Sequence, residues 1–135
     1  MLQRTYPEIS PIGIGLYTVA DASKLLRIPQ RNIRRWLAGY PFKTLGGSRR
    51  FMPPLWKTQL PAHENHIELG LRDLIELRFI SAFMDKGLGI HSIRRCLEHA
   101  RAIVGDERPF STRRFHTDGR TIFFNFVDQA IARPS

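Results

Sequence analysis

Basic side chains gather in two neighbouring segments of this 135-residue sequence. Residues 27–40, RIPQRNIRRWLAGY, place four arginines around Ile33, Trp36 and Leu37, and Ser-Arg-Arg follows at 48–50. The planar guanidinium group donates paired hydrogen bonds that match the oxygens of a phosphate or the exposed edge of a guanine. The chemistry open to these residues is therefore the binding of an anion, and the elements that carry them must aim them at it.

The distribution of charge also favours a polyanionic partner. The chain has a formal net charge of +9, but residues 1–60 hold ten Lys or Arg and only two acids, a net +8. Residues 61–135 hold eleven basic and ten acidic side chains, a net +1. Concentration of charge in one half is typical of a nucleic-acid-binding module. A solvated basic surface without a partner is the alternative.

The remaining reactive side chains do not suggest catalysis or metal binding. We find no nucleophile beside a base, no phosphate-binding glycine loop and no metal triad, so we expect no enzyme and no cofactor. His63 and His66 could ligate a metal, but no cysteine or carboxylate lies at convincing ligand spacing, and no metal site is expected. Cys96 lies on an apolar helical stripe and is interpreted as a core thiol. Asp73 and Glu76 are interpreted as surface charges.

Composition also bears on the compartment. A single cysteine cannot form an internal disulfide, which fits a reducing cytoplasm. No run approaches 18 apolar residues, and the first ten residues have no apolar signal-peptide core. We therefore expect a cytoplasmic protein that is not held in a membrane.

Two short helices are predicted around the first basic segment. Thr18 and Asp21 resemble a capping box that opens a helix, and Pro29 ends that helix. The second helix is predicted over 30–38, with Gly39 as its C-cap. Its apolar side chains share one face on a helical wheel, and three arginines project from the remainder: Arg31, Arg34 and Arg35.

A small hairpin is predicted after the second helix. Gly46, Gly47 and Ser48 separate two short segments that resemble strands. Basic residues lie on both arms beside this glycine tip: Lys43, Arg49 and Arg50.

The second half of the chain predicts two longer helices, over 71–86 and 90–104. The first is apolar on two sides and the second on one. Asp118-Gly119 between apolar segments predicts a hairpin near 110–126. The expected class is α+β, mainly helical: a winged helix-turn-helix followed by a helical pair and a small β-hairpin. The expected divisions are an arm at 1–15, a DNA-binding head at 16–56, a linker at 57–69, a helical pair at 70–105, and a β-hairpin with a C-terminal tail at 106–135.

A short helix, a tight turn and a second helix that is basic on its outer side form the helix-turn-helix pattern, whose second helix enters the major groove of DNA. The hairpin would serve as a basic wing on the backbone beside it. Double-stranded DNA is thus the expected partner, and the candidate contacts are Gln30, Arg31, Arg34, Arg35, Lys43, Ser48, Arg49 and Arg50.

These segments resemble the MerR-type winged helix-turn-helix proteins. The resemblance lies in LYTVADASKLLRIPQRNIRRWL, the basic SRRF that follows, and LRDLIELRFISAFMDKGLGIHSIRRCLEHAR, and it covers roughly residues 16–105. It implies that Arg34 and Arg49 fall on DNA-contacting arginines of the second helix and the wing, that Arg35 falls on a phosphate-contacting aromatic, that Trp36 packs inward, and that Phe51 falls on the wing tyrosine. The sequence departs from the family at Pro29, where a Ser or Thr N-cap is usual, and in lacking both a long heptad helix after 105 and the effector-sensing cysteines.

The segment LRDLIELRFISAFMDKGLGIHSIRRCLEHAR, followed by RPFSTRRFHTDGRTIFF, is similar to the N-terminal half of bacterial VapB-type antitoxins that carry a MerR-like DNA-binding head. That resemblance implies a head that represses its own operon, a ribonuclease toxin as partner, and a chain that lacks much of the toxin-binding portion.

We therefore expect a sequence-specific DNA-binding transcriptional regulator, the autorepressing antitoxin of a toxin–antitoxin operon. Two alternatives stay open. One is an architectural or excisionase-like DNA-binding protein, and the other is a protein-interaction module without DNA binding. A neighbouring gene for a small ribonuclease would decide the antitoxin question.

A homodimer is also expected, since one helix-turn-helix reads too few base pairs to find a single genomic site. The second apolar side of the helix over 71–86 is its expected interface, formed by Leu77, Ile80 and Met84. The hairpin near 110–126 could instead cover that side within one chain.

Overall fold

A computed structural model describes residues 16–59 and 66–132. The described residues divide into two compact units, one ending at Leu71 and the other starting at Arg72. The fold is mainly helical with two two-stranded sheets, within the expected α+β class. The elements in chain order are β1 Tyr17–Thr18, α1 Val19–Leu26, α2 Gln30–Ala38, β2 Tyr40–Lys43, β3 Arg49–Met52, β4 Glu68–Leu69, α3 Leu71–Asp85, α4 Ile90–Val104, a 3₁₀ turn Pro109–Ser111 and α5 Arg113–Ala132.

The first helix begins where the sequence predicts. Thr18 Oγ1 accepts a hydrogen bond from the Asp21 amide and Asp21 Oδ2 accepts one from the Thr18 amide, each at 3.0 Å. This reciprocal capping box satisfies two amides that the first turn leaves unpaired. The bond from the Thr18 amide also lowers the pKa of the Asp21 carboxyl below its ordinary value. At the other end, Arg27 adopts the left-handed conformation (φ 57°) and turns the chain toward α2.

The second helix has the predicted bounds and buries the predicted face. Ile33, Trp36 and Leu37 are buried. The chain returns to this helix after the hairpin, where Leu55 is buried and its amide donates to the Trp36 carbonyl at 2.7 Å. That bond satisfies a carbonyl at the C-terminal end of α2, which has no partner within the helix.

The expected linker over 57–69 is wrong in its last part. Glu68 pairs with Thr18 and Leu69 with Tyr17 in an antiparallel sheet. Leu69 is fully buried, so this short pairing closes the first unit instead of leaving a flexible connection. Neither strand has enough residues to produce an alternating pattern, which is why the sequence did not reveal them.

The second unit is built on phenylalanines. Phe79 of α3 stacks on Phe110 with ring centroids 4.8 Å apart and meets the edges of Phe115 and Phe123. Phe83 adds a contact with Phe123 at 4.5 Å. Offset and edge-on pairs at such distances stabilise beyond the area they bury.

The expected hairpin near 110–126 is wrong, because residues 113–132 form helix α5. Asp118-Gly119, the signal for a turn, lies inside that helix. Thr112 Oγ1 accepts from the Phe115 amide at 3.3 Å, which is the bond of a helix N-cap. The buried residues Phe115, Phe123, Phe126 and Val127 recur at helical spacing. Packing of this face outweighs the cost of a mid-helix glycine, about 1 kcal/mol. A 20-residue helix therefore follows residue 105, in place of the expected hairpin.

The interface expected on α3 is also wrong for two of its three residues. Leu77 and Ile80 have no exposed surface within the single chain, whereas Met84 is 42% exposed. A side chain already covered by its own chain cannot also form the surface of a second copy.

Asp73 and Glu76 are fully buried and are not surface charges. The Glu76 carboxylate accepts from the amides of Phe110 and Ser111 at 3.1 and 2.7 Å. Asp73 accepts from Arg108 Nε at 3.1 Å. These bonds tie α3 to the segment that precedes α5. Cys96 is buried, and desolvation raises the pKa of its thiol to about 11, consistent with an inert core thiol.

None of the helices in the described ranges is long and apolar enough to cross a membrane.

Candidate nucleic-acid interface

Helix α2 presents polar and basic side chains on the side opposite its buried face. Gln30, Arg31, Arg34 and Arg35 are all exposed. Arg34 Nη1 lies 3.4 Å from Gln30 Oε1, one turn earlier. The side chains of Gln30 and Arg34 thus lie side by side on the helix, and both can donate hydrogen bonds to a partner beside it.

The start of α2 has no side-chain cap. Pro29 occupies the N-cap position, and its carbonyl accepts from the amides of Asn32 and Ile33 at 3.0 and 3.2 Å. No acid lies in the first turn. The positive end of the helix dipole is therefore not neutralised by an acid of the helix's own first turn, which favours an anion in front of the helix.

Arg35 is held differently from Arg34. Its guanidinium Cζ lies 4.0 Å from the centroid of the Tyr40 ring. This cation–π contact connects the last turn of α2 with the first residue of β2.

The hairpin arranges its residues by strand register. Lys43 lies opposite Arg49 and Phe42 opposite Arg50. Because directly opposed residues of an antiparallel pair share a face, Lys43 and Arg49 project together, and Arg50 projects from the other side. With Ser48, all of these candidate residues are exposed. Both faces of the hairpin therefore carry positive charge.

The tip of the hairpin is a defined turn. The amide of Gly47 donates to the Thr44 carbonyl and the amide of Thr44 to the Ser48 carbonyl, both at 2.9 Å. The Ser48 amide donates to Thr44 Oγ1 at 3.2 Å. Gly47 has φ +83° and supplies the left-handed residue that this kind of loop requires.

Gly39 fixes the hairpin against the end of α2. Its φ is +75°, and a Cβ built on it would lie 2.5 Å from the Met52 carbonyl oxygen and 2.6 Å from Phe51 Cζ. No other residue fits this approach without a shift of backbone. The helix and the hairpin are thus one connected surface within the first unit.

Charge on this surface is almost entirely positive. The described residues of the first unit hold nine Lys or Arg and two acids, Asp21 and Glu68, a net +7. The described residues of the second unit hold ten Lys or Arg and eight acids, a net +2.

The described residues contain no cluster of His, Cys, Asp or Glu suited to a metal ion. His66 Nε2 lies 3.8 Å from Glu68 Oε1. His63, its possible partner in the sequence, lies outside the described residues.

The structure brings all eight sequence-derived candidates onto α2 and the adjoining hairpin. Sequence reasoning missed Tyr40, the partner of Arg35, because no local pattern pairs the two residues. It also missed the fully exposed Leu45 at the tip of the hairpin.

Comparison with known proteins agrees with the interpretation of α1 and α2 as a helix-turn-helix. No curated protein and no solved structure matches the chain. A family model described as "Putative DNA-binding HTH domain" matches residues 15–97, which is more than half of the sequence. The chain therefore belongs to this helix-turn-helix family.

Proposed function

We propose that this protein binds double-stranded DNA at specific sequences and regulates transcription. The observation that carries the proposal is the arrangement of Lys43 directly opposite Arg49. Like charges facing each other across two strands destabilise a hairpin, so folding alone does not favour them. A phosphate between them turns this repulsion into attraction.

The geometry of the helix supports the same partner. Arg31 and Arg34 project from α2, whose opposite face is buried, so this helix can lie in the major groove without losing core contacts. We assign Arg31, near the start of α2, to base edges and Arg34 to phosphate. Arg35 reaches phosphate with its free edge while it stays on Tyr40.

The hairpin is proposed as the wing of a winged helix-turn-helix. Lys43, Ser48, Arg49 and Arg50 contact the DNA backbone beside the groove that α2 occupies. The order helix, helix, wing and then a longer helical pair supports the MerR-type relationship. In this proposal the protein is not an enzyme and acts in the cytoplasm.

The finer proposal is that of an autorepressing antitoxin whose partner is a ribonuclease toxin. It is supported by the sequence resemblance of residues 71–101 and 108–124 to the N-terminal half of VapB-type antitoxins. Binding to the region upstream of its own gene is its first requirement.

A homodimer is proposed because one head contacts only a few base pairs. Two heads on half-sites about 34–36 Å apart would supply the missing specificity. Since Leu77 and Ile80 are buried, the proposal no longer includes them, and Met84 is the one residue of that set left at the surface.

Footprinting on the DNA upstream of the protein's own gene tests the proposal. A discrete footprint with two symmetric half-sites, and light scattering that gives the complex two copies of the 15.6-kDa chain, are the expected results. Binding that spreads evenly over any sequence would indicate an architectural protein. No binding at low salt would leave only a protein-interaction module.

A further inference from the structure

Leu45 is a fully exposed apolar side chain, with 110% relative exposure, at the tip of the β2–β3 hairpin. It contributes nothing to the core of the first unit. Isolated apolar residues are common on protein surfaces and need no explanation by themselves. Leu45 differs from such residues in its surroundings, which are a fixed loop, a neighbouring glycine and three nearby cations.

The loop that carries Leu45 is fixed by its own hydrogen bonds. Thr44 takes part in three of them, through its amide, its carbonyl and its hydroxyl. Because these bonds hold the loop in shape, presenting the leucine outward costs little conformational entropy on binding.

Among the described residues, nothing around Gly46, next to Leu45, demands glycine at this position. Its φ is not in the left-handed region, and a Cβ on it would meet only Thr44 Oγ1, at 3.9 Å. Gly47, by contrast, needs its positive φ of +83°. The missing side chain at Gly46 therefore fits an approach of the tip to something outside the chain.

The charges beside the tip identify the chemistry of that partner. Lys43 precedes the turn and Arg49 and Arg50 follow it, so cations stand on both strands below the leucine. Three cations would not interact favourably with an apolar protein surface around the leucine. DNA is a polyanion whose phosphates surround stacked, apolar bases, so it can bind both the cations and the leucine.

The reach of the hairpin fits the groove next to that of α2. Tyr40 stands beside the last turn of α2, and Leu45, five residues later in the turn after β2, can lie at most about 17 Å from it. Half a turn of B-DNA, the step from a major groove to the adjacent minor groove, is also about 17 Å.

We infer that Leu45 is an apolar wedge that enters the minor groove, partly unstacks one base step and kinks the duplex. The inference rests on the proposed function, because α2 must dock for the tip to reach the groove. Leucine is among the side chains that act in this way, and the resulting kinks range over about 20–90°. Regulators as well as architectural proteins bend their sites.

The test uses duplexes of about 30 base pairs, selected from a random pool by the wild-type protein and labelled with a dye at each end. Energy transfer between the dyes reports bending, and 2-aminopurine at the kinked step reports unstacking. The variants are Leu45→Ala, Leu45→Met, which keeps an apolar wedge, and Leu25→Ala, a control that removes an exposed leucine from α1.

Wild type, Leu45→Met and Leu25→Ala should raise energy transfer and 2-aminopurine fluorescence. Leu45→Ala should lose most of both signals and bind about three- to tenfold more weakly, with the same salt dependence, because no phosphate contact is lost. Equal bending by Leu45→Ala and wild type would overturn the inference and leave the tip as a protein-binding surface. Wild-type binding without bending would overturn it and spare the proposed function, whereas no binding to any duplex would end both.

Discussion

The guanidinium of Arg35 lies over the ring of Tyr40, with 4.0 Å between Arg35 Cζ and the ring centroid. Arg35 belongs to the last turn of α2 and Tyr40 opens β2, so one contact joins the helix to the β2–β3 hairpin, and helix and hairpin together carry every candidate DNA-binding residue. Gly39, between them, lets the backbone of β3 approach the end of the helix. The angle between helix and hairpin is therefore set by the chain before any partner binds.

This contact should show measurable coupling between the two side chains. We expect a double-mutant cycle of Arg35→Ala and Tyr40→Leu to give about 0.5–1 kcal/mol of interaction energy, as for other exposed cation–π pairs. Urea unfolding followed by tryptophan fluorescence measures it, because both tryptophans, Trp36 and Trp56, are buried in the first unit. Additive effects of the two substitutions would mean that the contact does not stabilise the unit.

Three arginine variants should weaken DNA binding in different ways. Arg49→Ala and Arg34→Ala each remove a phosphate contact, so affinity should fall on all sequences and the slope of log K against log salt should fall by about 1. Arg31→Ala removes a base contact and should cost about 1–3 kcal/mol, mainly on the footprinted site. Fluorescence anisotropy over a series of salt concentrations separates the two effects.

The control for these variants is Arg78→Ala. Arg78 is exposed on α3, outside the first unit, so its loss changes the net charge equally without touching α2 or the hairpin. If Arg78→Ala matched the other variants, the effects would come from total charge and not from the proposed interface.

The first unit could be predicted well because its signals are local. The capping box of Thr18 and Asp21, the left-handed Gly39 and the glycine tip at Gly47 each specify a backbone conformation within a few residues. The exposed arginines of α2 follow from the spacing of the buried Ile33, Trp36 and Leu37, since a helix has only one remaining side.

The second unit could not be predicted to the same extent because its decisive interactions are distant in sequence. Asp118-Gly119 signals a turn locally, but the face of α5 that contains Phe123 packs on Phe79 and Phe83, about forty residues earlier. Glu76 resembles a surface charge on a helix until the amides of Phe110 and Ser111 arrive to satisfy it. Contacts between residues so far apart in the chain produce no periodic pattern in the sequence.

Gly39→Ala should destabilise the first unit by about 1–3 kcal/mol, since it adds both left-handed strain and a clash. The clash is with the Met52 carbonyl and the Phe51 ring. Gly47→Ala is the matched control: its φ is also positive, but a Cβ there meets nothing within 4 Å, so only the backbone strain applies. Thermal unfolding monitored by tryptophan emission should give Gly39→Ala a lower midpoint temperature than Gly47→Ala. The reverse order would refute the close approach of Met52 and Phe51 to Gly39.

The buried Glu76 should make stability depend on pH near neutrality. Burial raises the pKa of Glu76 from its ordinary 4.5 to about 7, against the opposing effect of its bonds to Ser111 and Phe110. Between these two values the folded protein keeps a proton that the unfolded chain has released. Stability should therefore fall as pH rises through this window, by at most about 1.4 kcal/mol per pH unit, and level off above it. Asp106 does not contribute to the pH dependence of stability in this window, because its pKa is lowered and it titrates below its ordinary value of 3.8.

Glu76→Gln tests this dependence. Glutamine does not titrate, so the slope between about pH 5 and pH 7 should disappear, and one of the two amide bonds should be lost at a cost of about 1–3 kcal/mol. The control is Glu98→Gln, which changes an exposed glutamate of α4 in the same unit. Urea unfolding followed by circular dichroism across this pH range gives the slope, and amide exchange at Phe110 reports the local bond. If wild type and Glu76→Gln kept the same slope, Glu76 would not titrate in this window and its raised pKa would be wrong.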